Sequence, residues 1–370
     1  MKLICSKANL LQGVNIVSKA VPTRTTMAIL ECILIDASTN EIKLTANDME
    51  LGIETIIKGE IAERGVIALD AKIFSEIVRK LPDSDVLIET DASFKTTITC
   101  EKAKFNIIGK SGDDFSYLPY IERKECVAIS QFTLKEVIRQ TIFSIADNDN
   151  NKLMTGELFE INDNKLKVVS LDGHRISIRN IELKDNYDHK KVVVPGKTLQ
   201  EVSKILPGSV DEEVNIYLAD NHIIFEFDKT TVVSRLIEGE YFRIEQMLSS
   251  AYETKVKINK RELLSCIDRA TLLVKEGDKK PIIMNVIDGS MELKINSFIG
   301  SMNEDIDILK EGKDILIGFN PKFFIDALRV IDEEEVTLYM VNPKAPCFIK
   351  DNEGKFIYLI LPVNFNAANN

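Results

Sequence analysis

The chain has no tryptophan and only three histidines, His174, His189 and His222, among its 370 residues. That leaves little raw material for imidazole catalysis. Its six cysteines, Cys5, Cys32, Cys100, Cys126, Cys266 and Cys347, lie far apart, with no CxxC pair and no histidine at metal-ligand spacing. Buried reduced thiols are therefore expected, with no metal and no cofactor. No uncharged apolar run approaches the roughly 18 residues of a membrane span. Met1 to Lys7 lacks the apolar stretch of a signal peptide. These absences lead to the expectation of a cytoplasmic protein with no membrane partner. What is present is ordinary for a globular chain: 45% hydrophobic and 28% charged residues, and a length suited to two or three domains. A net charge of -11 argues at first against nucleic acid as a partner.

Internal repetition changes that reading. Residues 69–82, 194–207 and 319–332 share one pattern, in which Phe74, Leu199 and Phe324 recur at intervals of 125 residues. Lys72, Lys197 and Lys322 fall in register at the same interval. Each segment precedes an alternating strand, at 86–90, 214–218 and 336–340. Earlier in each repeat, residues 7–20, 133–146 and 259–275 carry apolar side chains at three- and four-residue spacing, which predicts amphipathic helices. Hairpin punctuation such as Asp172-Gly173 separates further strands between the two helices. The expected architecture is an α+β domain copied three times, at 1–123, 127–249 and 252–370.

Charge sorts by element. The six predicted helices (7–20, 71–81, 133–146, 196–206, 259–275 and 321–331) hold 15 basic and 6 acidic residues, whereas the remainder carries a net -20. Lysine on a solvated helix face is common, but register across three repeats favours a shared basic surface that attracts phosphates without reading bases.

Leu153 to Glu160, Ser170 to Arg175, Arg235 to Gly239 and Tyr358 to Val363 are the most specific stretches of a resemblance that covers essentially the whole chain. On these residues the chain resembles one family, the bacterial sliding clamp or beta subunit of DNA polymerase III. It implies a head-to-tail homodimeric ring of three tandem clamp domains per subunit, with helices lining a central hole and sheets outside. It further implies a non-catalytic processivity factor that encircles duplex DNA and tethers the replicative polymerase and other clients. A clamp loader is implied only by the family.

The resemblance also assigns residues. DNA-facing candidates are Lys7, Arg24, Lys72, Arg79, Lys80, Lys135 and Arg139, followed by Lys197, Lys204, Lys260, Arg269, Lys322 and Arg329, of which helical periodicity allows only a subset. The loop Asp147 to Asn151 matches a DNA-facing family loop, although it is acidic here. A peptide-binding cleft is implied at Met154, Leu171, Gly173, His174, Arg175, Ile176, Phe242 and Met247, continuing through Pro346, Ile360, Leu361, Pro362 and Val363. Phe242 stands where the family usually has a proline or a small apolar residue, Asn364-Phe365 stands where Arg-Leu is frequent, and the tail Asn366 to Asn370 overruns the usual end. The dimer contact is implied at Phe105 and Ile107 on one side and Leu272 and Leu273 on the other.

Three enzyme signals fail on inspection. Gly196-Lys197-Thr198 ends like a P-loop, but Lys191 stands where the first glycine is needed. Asp172 with His174 reads better as a hairpin turn than as an acid–base pair, with no nucleophile placed beside it. Asp332 to Glu335 is a solvated turn with no cation-liganding spacing. The rival to a DNA clamp is a repeat scaffold that binds peptides alone, which would need no basic helices; a hydrolase built on His174 is a distant third.

Overall fold

The computed structural model describes every residue except 148–149, 249–250, 275–279 and 366–370. Two expectations lie partly or wholly outside the described residues: the loop at Asn148 and Asp149, and the tail from Asn366.

Among the described residues, six α-helices form where the periodicity predicts them: α1 (Lys7–Val17), α2 (Ala71–Lys80), α3 (Gln131–Thr141), α4 (Gly196–Ile205), α5 (Lys260–Thr271) and α6 (Pro321–Val330). The first helix of each repeat starts directly at the end of a strand, where a small polar side chain caps it. Ser6 Oγ accepts from Asn9 N, Ser130 Oγ from Thr133 N, and Asn259 Oδ1 from Arg261 N and Glu262 N. α1, α3 and α5 end earlier than expected; α1 and α3 continue as 3-10 turns over Ser18–Ala20 and Ile142–Ser144, and α5 gives way to a turn at Leu272. In α1 and α3, a hydroxyl near the end donates back to a carbonyl four residues earlier: Ser18 to Val14 at 2.6 Å and Thr141 to Val137 at 2.8 Å. Such back-bonding competes with the regular ladder. Phe74, Leu199 and Phe324, the repeated apolar anchors of α2, α4 and α6, are all fully buried.

Strand pairing is antiparallel throughout the described sheets, and it crosses the repeat boundaries. The strand Leu51–Ile57 of the first repeat pairs with Thr230–Arg235 of the second, placing Leu51 opposite Ser234. Likewise Arg175–Pro195 of the second pairs with Phe356–Ile360 of the third, placing Ile176 opposite Leu359. Both partners in the second pairing lie 125 residues beyond those in the first, so one junction repeats the other in register. As a result the chain forms two compact units that do not coincide with the three repeats: Met1–Leu134 with Lys197–Leu236, and Lys135–Gly196 with Ile237–Asn370. The first holds a nine-stranded and a five-stranded sheet, the second a seven-stranded and a four-stranded sheet.

The repeats differ at one buried seat. Leu69, Val194 and Phe319 recur 125 residues apart, and the residues facing them across the sheet are Ile33, Glu157 and Ile282. All three facing residues are fully buried. Glu157 thus occupies a place that is apolar in the other two repeats, and its carboxyl makes no well-formed hydrogen bond, the neighbouring Thr141 hydroxyl only partly offsetting its burial. Burial pushes its pKa up to about 8, so the folded chain holds a proton that the unfolded chain releases. Stability from this seat is complete below the ordinary carboxylate range, falls as pH rises towards 8 and then levels off. Each pH unit in that window lowers the folding constant by up to roughly tenfold. Thermal unfolding of wild type and Glu157→Met from pH 5 to 9 checks this: the variant is expected to lack that slope and to gain most above pH 8. Parallel curves would refute a buried protonated acid.

Candidate functional site

Two groups of side chains stand out, and the helices carry the first. Along α2 the buried positions are Ala71, Phe74, Ile77 and Val78, which turns Lys72, Arg79 and Lys80 outward. Along α6 they include Pro321, Phe324, Ile325 and Leu328, which leaves Lys322 and Arg329 exposed. The in-register residues Lys72, Lys197 and Lys322 each sit second in their helix and are all exposed.

The other expected phosphate-facing cations divide by partner. Lys7 reaches Asp83 at 2.6 Å, Lys204 reaches Glu201 at 2.8 Å and Arg79 reaches Glu76. Arg139 bridges Glu136 and Asp332, Arg269 pairs with Glu304, and Arg329 lies 3.4 Å from Asp268. Lys260 donates to the Ile331 carbonyl. Lys197 pairs with the nearly buried Asp48, so the three in-register lysines are not electrostatically alike. Lys135 is half-buried on α3. Arg24, Lys72, Lys80 and Lys322 are exposed and make no ion pair among the described residues. Exposed ion pairs are worth at most about 1 kcal/mol, so a polyanion can displace them.

The second group is apolar. Leu158, Val169, Leu171, Ile176, Ile178, Val193, Tyr241, Ile244, Phe348 and Leu359 form one buried cluster, with Leu153, Met154, Phe242 and Leu248 packed partly exposed against it. This brings Met154, Leu171, Ile176 and Phe242 of the expected cleft together. Met247 and Leu361 are exposed nearby in sequence, and Pro346, Pro362 and Val363 are half-buried. Ile360 instead points into the core of the third repeat. Strand alternation explains this, since Leu359 and Ile360 face opposite sides. Leu361 N donates to the His174 carbonyl at 2.9 Å and Val363 N to the Gly318 carbonyl at 2.8 Å, which ties down the segment after the last strand. Phe365 packs on Gly318, where an added Cβ would lie 2.7 Å from its ring. Phe242 meets Tyr241 edge-on, at 5.5 Å between centroids.

The turn between Gly156–Leu171 and Arg175–Pro195 organises the rim. Gly173 adopts φ +83, a conformation that favours glycine. Asp172 Oδ1 accepts from the backbone of His174 and Arg175. Asp172 Oδ2 takes Arg175 Nε at 2.9 Å, so the carboxylate serves the turn and not the His174 ring. Arg175 also donates to Asp326 at 2.7 Å and to the Phe143 carbonyl, with its guanidinium 4.6 Å from the Phe323 ring centroid. It is a buried support and does not offer its donors at the surface. His174 is exposed and stacks on Phe323 at 6.1 Å. Sequence reasoning missed Phe323, Leu153, Tyr241 and Phe348, because an apolar residue contributing to a cluster has no local signature.

The P-loop-like fragment is structural. Thr198 is buried with its hydroxyl 2.6 Å from that of Ser234, and Lys197 serves Asp48. The acidic run is occupied in part by Arg139 on Asp332 and by Lys257 on Glu335. Cys126 is half-buried and the other cysteines are buried, all six as free thiols. No helix among the described residues is long and apolar enough to cross a membrane.

Exposed apolar residues mark two sheet edges. Ala103–Ile108 ends the five-stranded sheet, with Phe105 exposed, Ile107 half-buried and Ile108 83% exposed. Ser301–Asp307 ends the four-stranded sheet. In the same unit Leu272 is 80% exposed, while Leu273 packs half-buried against the core and lies 3.8 Å from the position of a Cβ on Gly300. Phe298 and Ile299, exposed at the hairpin tip before that edge strand, were not anticipated. The sequence signal was an apolar pair within Asn296 to Gly300, where a turn is normally polar.

Comparison with known proteins accounts for the whole chain. Family models described as the N-terminal, central and C-terminal domains of the DNA polymerase III beta subunit match residues 1–119, 128–242 and 245–364. A crystal structure of a putative DNA polymerase III beta subunit from Eubacterium rectale is 85% identical, with TM-score 0.96 over 99% of this chain and 100% of the other. The DNA polymerase sliding clamp of Bacillus subtilis is 33% identical, with TM-score 0.95 over 99% and 100%. A beta sliding clamp of Staphylococcus epidermidis is 33% identical over 374 residues, 98% of this chain and 99% of that one. Three tandem clamp domains, with the same mixed helices and sheets, are therefore the architecture of this chain, which belongs to the DNA polymerase III beta subunit family, the beta sliding clamps.

Proposed function

We propose that this chain is a processivity clamp that closes as a homodimeric ring around duplex DNA, slides, and holds the replicative polymerase and other clients by short peptides. A clamp loader is the partner that opens the ring, and the chain performs no bond chemistry of its own. The domains lie at 1–123, 127–249 and 252–370. The observation that carries the reading is the exposed lysine at the second position of α2, α4 and α6 on a chain of net charge -11. Cations on regularly repeated helices attract any phosphate backbone weakly, and the acidic remainder repels it elsewhere. Weak contacts that ignore sequence permit sliding, whereas base-specific contacts would oppose it.

The cluster beneath Met154, Phe242 and Met247 supports a peptide cleft. Burying an apolar anchor there gains roughly 25 cal/mol per Å², and the tied segment at Leu361 to Val363 provides a preformed wall. Dimerisation joins the edge at Ala103–Ile108 of one copy to the edge at Ser301–Asp307 of the other. Lys102 precedes the first and Lys104 lies on it, while Asp305 and Asp307 lie exposed on the second beside Glu304, which pairs with Arg269, so the two edges are complementary in charge. Head-to-tail contacts of this kind close into a ring when the rotation allows.

Leu272→Asp is expected to yield monomers at micromolar concentration with an unchanged melting temperature, read by sedimentation. Leu273→Asp should also dissociate the dimer, but with lower stability, because that residue contacts the core. A dimer surviving both removes this surface from the interface.

The clamp itself is tested by loading the protein onto nicked circular DNA with an active cognate loader, then linearising the circle. Release on cutting is the expected result. Equal retention on both forms would mean ordinary affinity binding, and no loading by a loader active on its own clamp would favour a peptide-binding scaffold.

A further inference from the structure

The junction between the first two repeats contains a cavity of about 250 Å³ whose lining includes Asn47, Met49, Glu50, Tyr117, His222 and Arg235. It lies at the same register as the proposed peptide cleft, since Leu51 faces Ser234 here as Ile176 faces Leu359 there. Tyr117 stands 125 residues before Phe242, and Met49 125 residues before His174.

Its chemistry is its own. Met49 takes φ +75, rare for a residue with a side chain. The buried Asn47 maintains that turn, accepting from Met49 N at 2.7 Å and donating to the Ser116 carbonyl at 3.1 Å. The result holds the Met49 side chain 53% exposed beside the 54% exposed Tyr117. Leu118 covers Gly52, where any Cβ would come 2.1 Å from its Cδ2, so the linker is pinned across the junction. Arg175 of the cleft is committed to carboxylates, whereas Arg235 is exposed and has no ion pair among the described residues. Arg235 N donates to the Glu50 carbonyl at 2.9 Å, which sets the two side chains at opposite positions across the strands. Burial and Arg235 push the His222 imidazole below its ordinary range, so it presents a neutral ring near neutral pH.

We propose that this cavity is a second docking site for an extended peptide that carries a bulky apolar residue beside a carboxylate. Arg235 takes the carboxylate, Glu50 accepts backbone N–H groups, and the adaptable Met49 with Tyr117 encloses the apolar side chain. At about 250 Å³ the space suits one large side chain rather than a compact small molecule, whose sites run to roughly 300–1,000 Å³.

The test uses the full chain and a fluorescent leucine–phenylalanine–aspartate amide, titrated by anisotropy into wild type, Arg235→Ala, Tyr117→Ala and Leu361→Asp. A two-phase isotherm is expected. Arg235→Ala and Tyr117→Ala should each weaken one phase roughly tenfold or more while leaving the other. Replacing aspartate by asparagine in the peptide should weaken that same phase in wild type and change nothing in Arg235→Ala. Binding indifferent to both substitutions, in one phase or two, overturns the proposal; a single phase that both substitutions weaken supports it without the cleft. If Leu361→Asp alters neither phase, the cleft reading fails while this one stands. Arg235 and Tyr117 are exposed, and an unchanged melting temperature confirms that these variants fold.

Discussion

Arg175→Ala is expected to lower stability by about 3–5 kcal/mol, the usual consequence of removing one partner from a buried ion pair. The guanidinium is 7% exposed and joins Asp172, Asp326 and the Phe143 carbonyl while lying over the Phe323 ring. Its removal leaves two half-buried carboxylates facing a void. Asp172 is on the turn of the second repeat and Asp326 on α6 of the third, so the loss falls on the seam between them. Urea unfolding followed by fluorescence of the eight tyrosines checks the stability. Arg175→Met with Asp172→Asn and Asp326→Asn should recover most of the loss, because removing every charge removes the desolvation penalty. A loss below about 1 kcal/mol would reclassify the cluster as a screened surface pair. Client-peptide affinity should fall with Arg175→Ala even though the side chain is buried, since its Nε holds the Asp172 carboxylate that fastens the turn at Gly173, and the His174 carbonyl on that turn holds Leu361.

Lys72→Glu combined with Lys322→Glu is expected to give the largest functional loss. Direct affinity of the unloaded protein for duplex DNA should drop, with the slope of log affinity against log salt falling by roughly one per phosphate contact removed. Loading should fail first at high salt, where screening already weakens the attraction. Rings that do load should persist on circular DNA and leave on linearisation, because topology rather than charge retains them. Lys197→Glu belongs in a separate variant: it places a second carboxylate against Asp48 and so should destabilise the fold as well. An unchanged salt slope in the double variant would remove α2 and α6 from the DNA-facing surface.

The apolar anchors were legible because burial obeys local periodicity: Phe74, Leu199 and Phe324 stand at intervals of 125 residues and all are fully buried. Helix ends were less legible. Ser18 and Thr141 shorten α1 and α3 through hydroxyl contacts that compete with the helix only marginally. Charge was legible in sign but not in use. Lys72 and Lys197 look alike in the repeat, yet one stands exposed without an ion-pair partner among the described residues and the other grips an aspartate 149 positions away. Such pairing depends on which strands meet, and no spacing encodes it. Arg175 shows the same limit: the family resemblance placed it in a binding cleft, and the fold commits its donors to the interior.

The amino-acid sequence by itself determined the repeat, the helix positions, the sorting of charge onto helices and the family, because each follows from residue order along one dimension. The tertiary structure alone decided that sheets run across the repeat boundaries, that Glu157 is fully buried where its counterparts are isoleucines, and that Arg235 stays exposed while Arg175 is buried. The physical reason is that desolvation and ion pairing depend on distances between residues remote in the chain, and those distances exist only once the strands have paired.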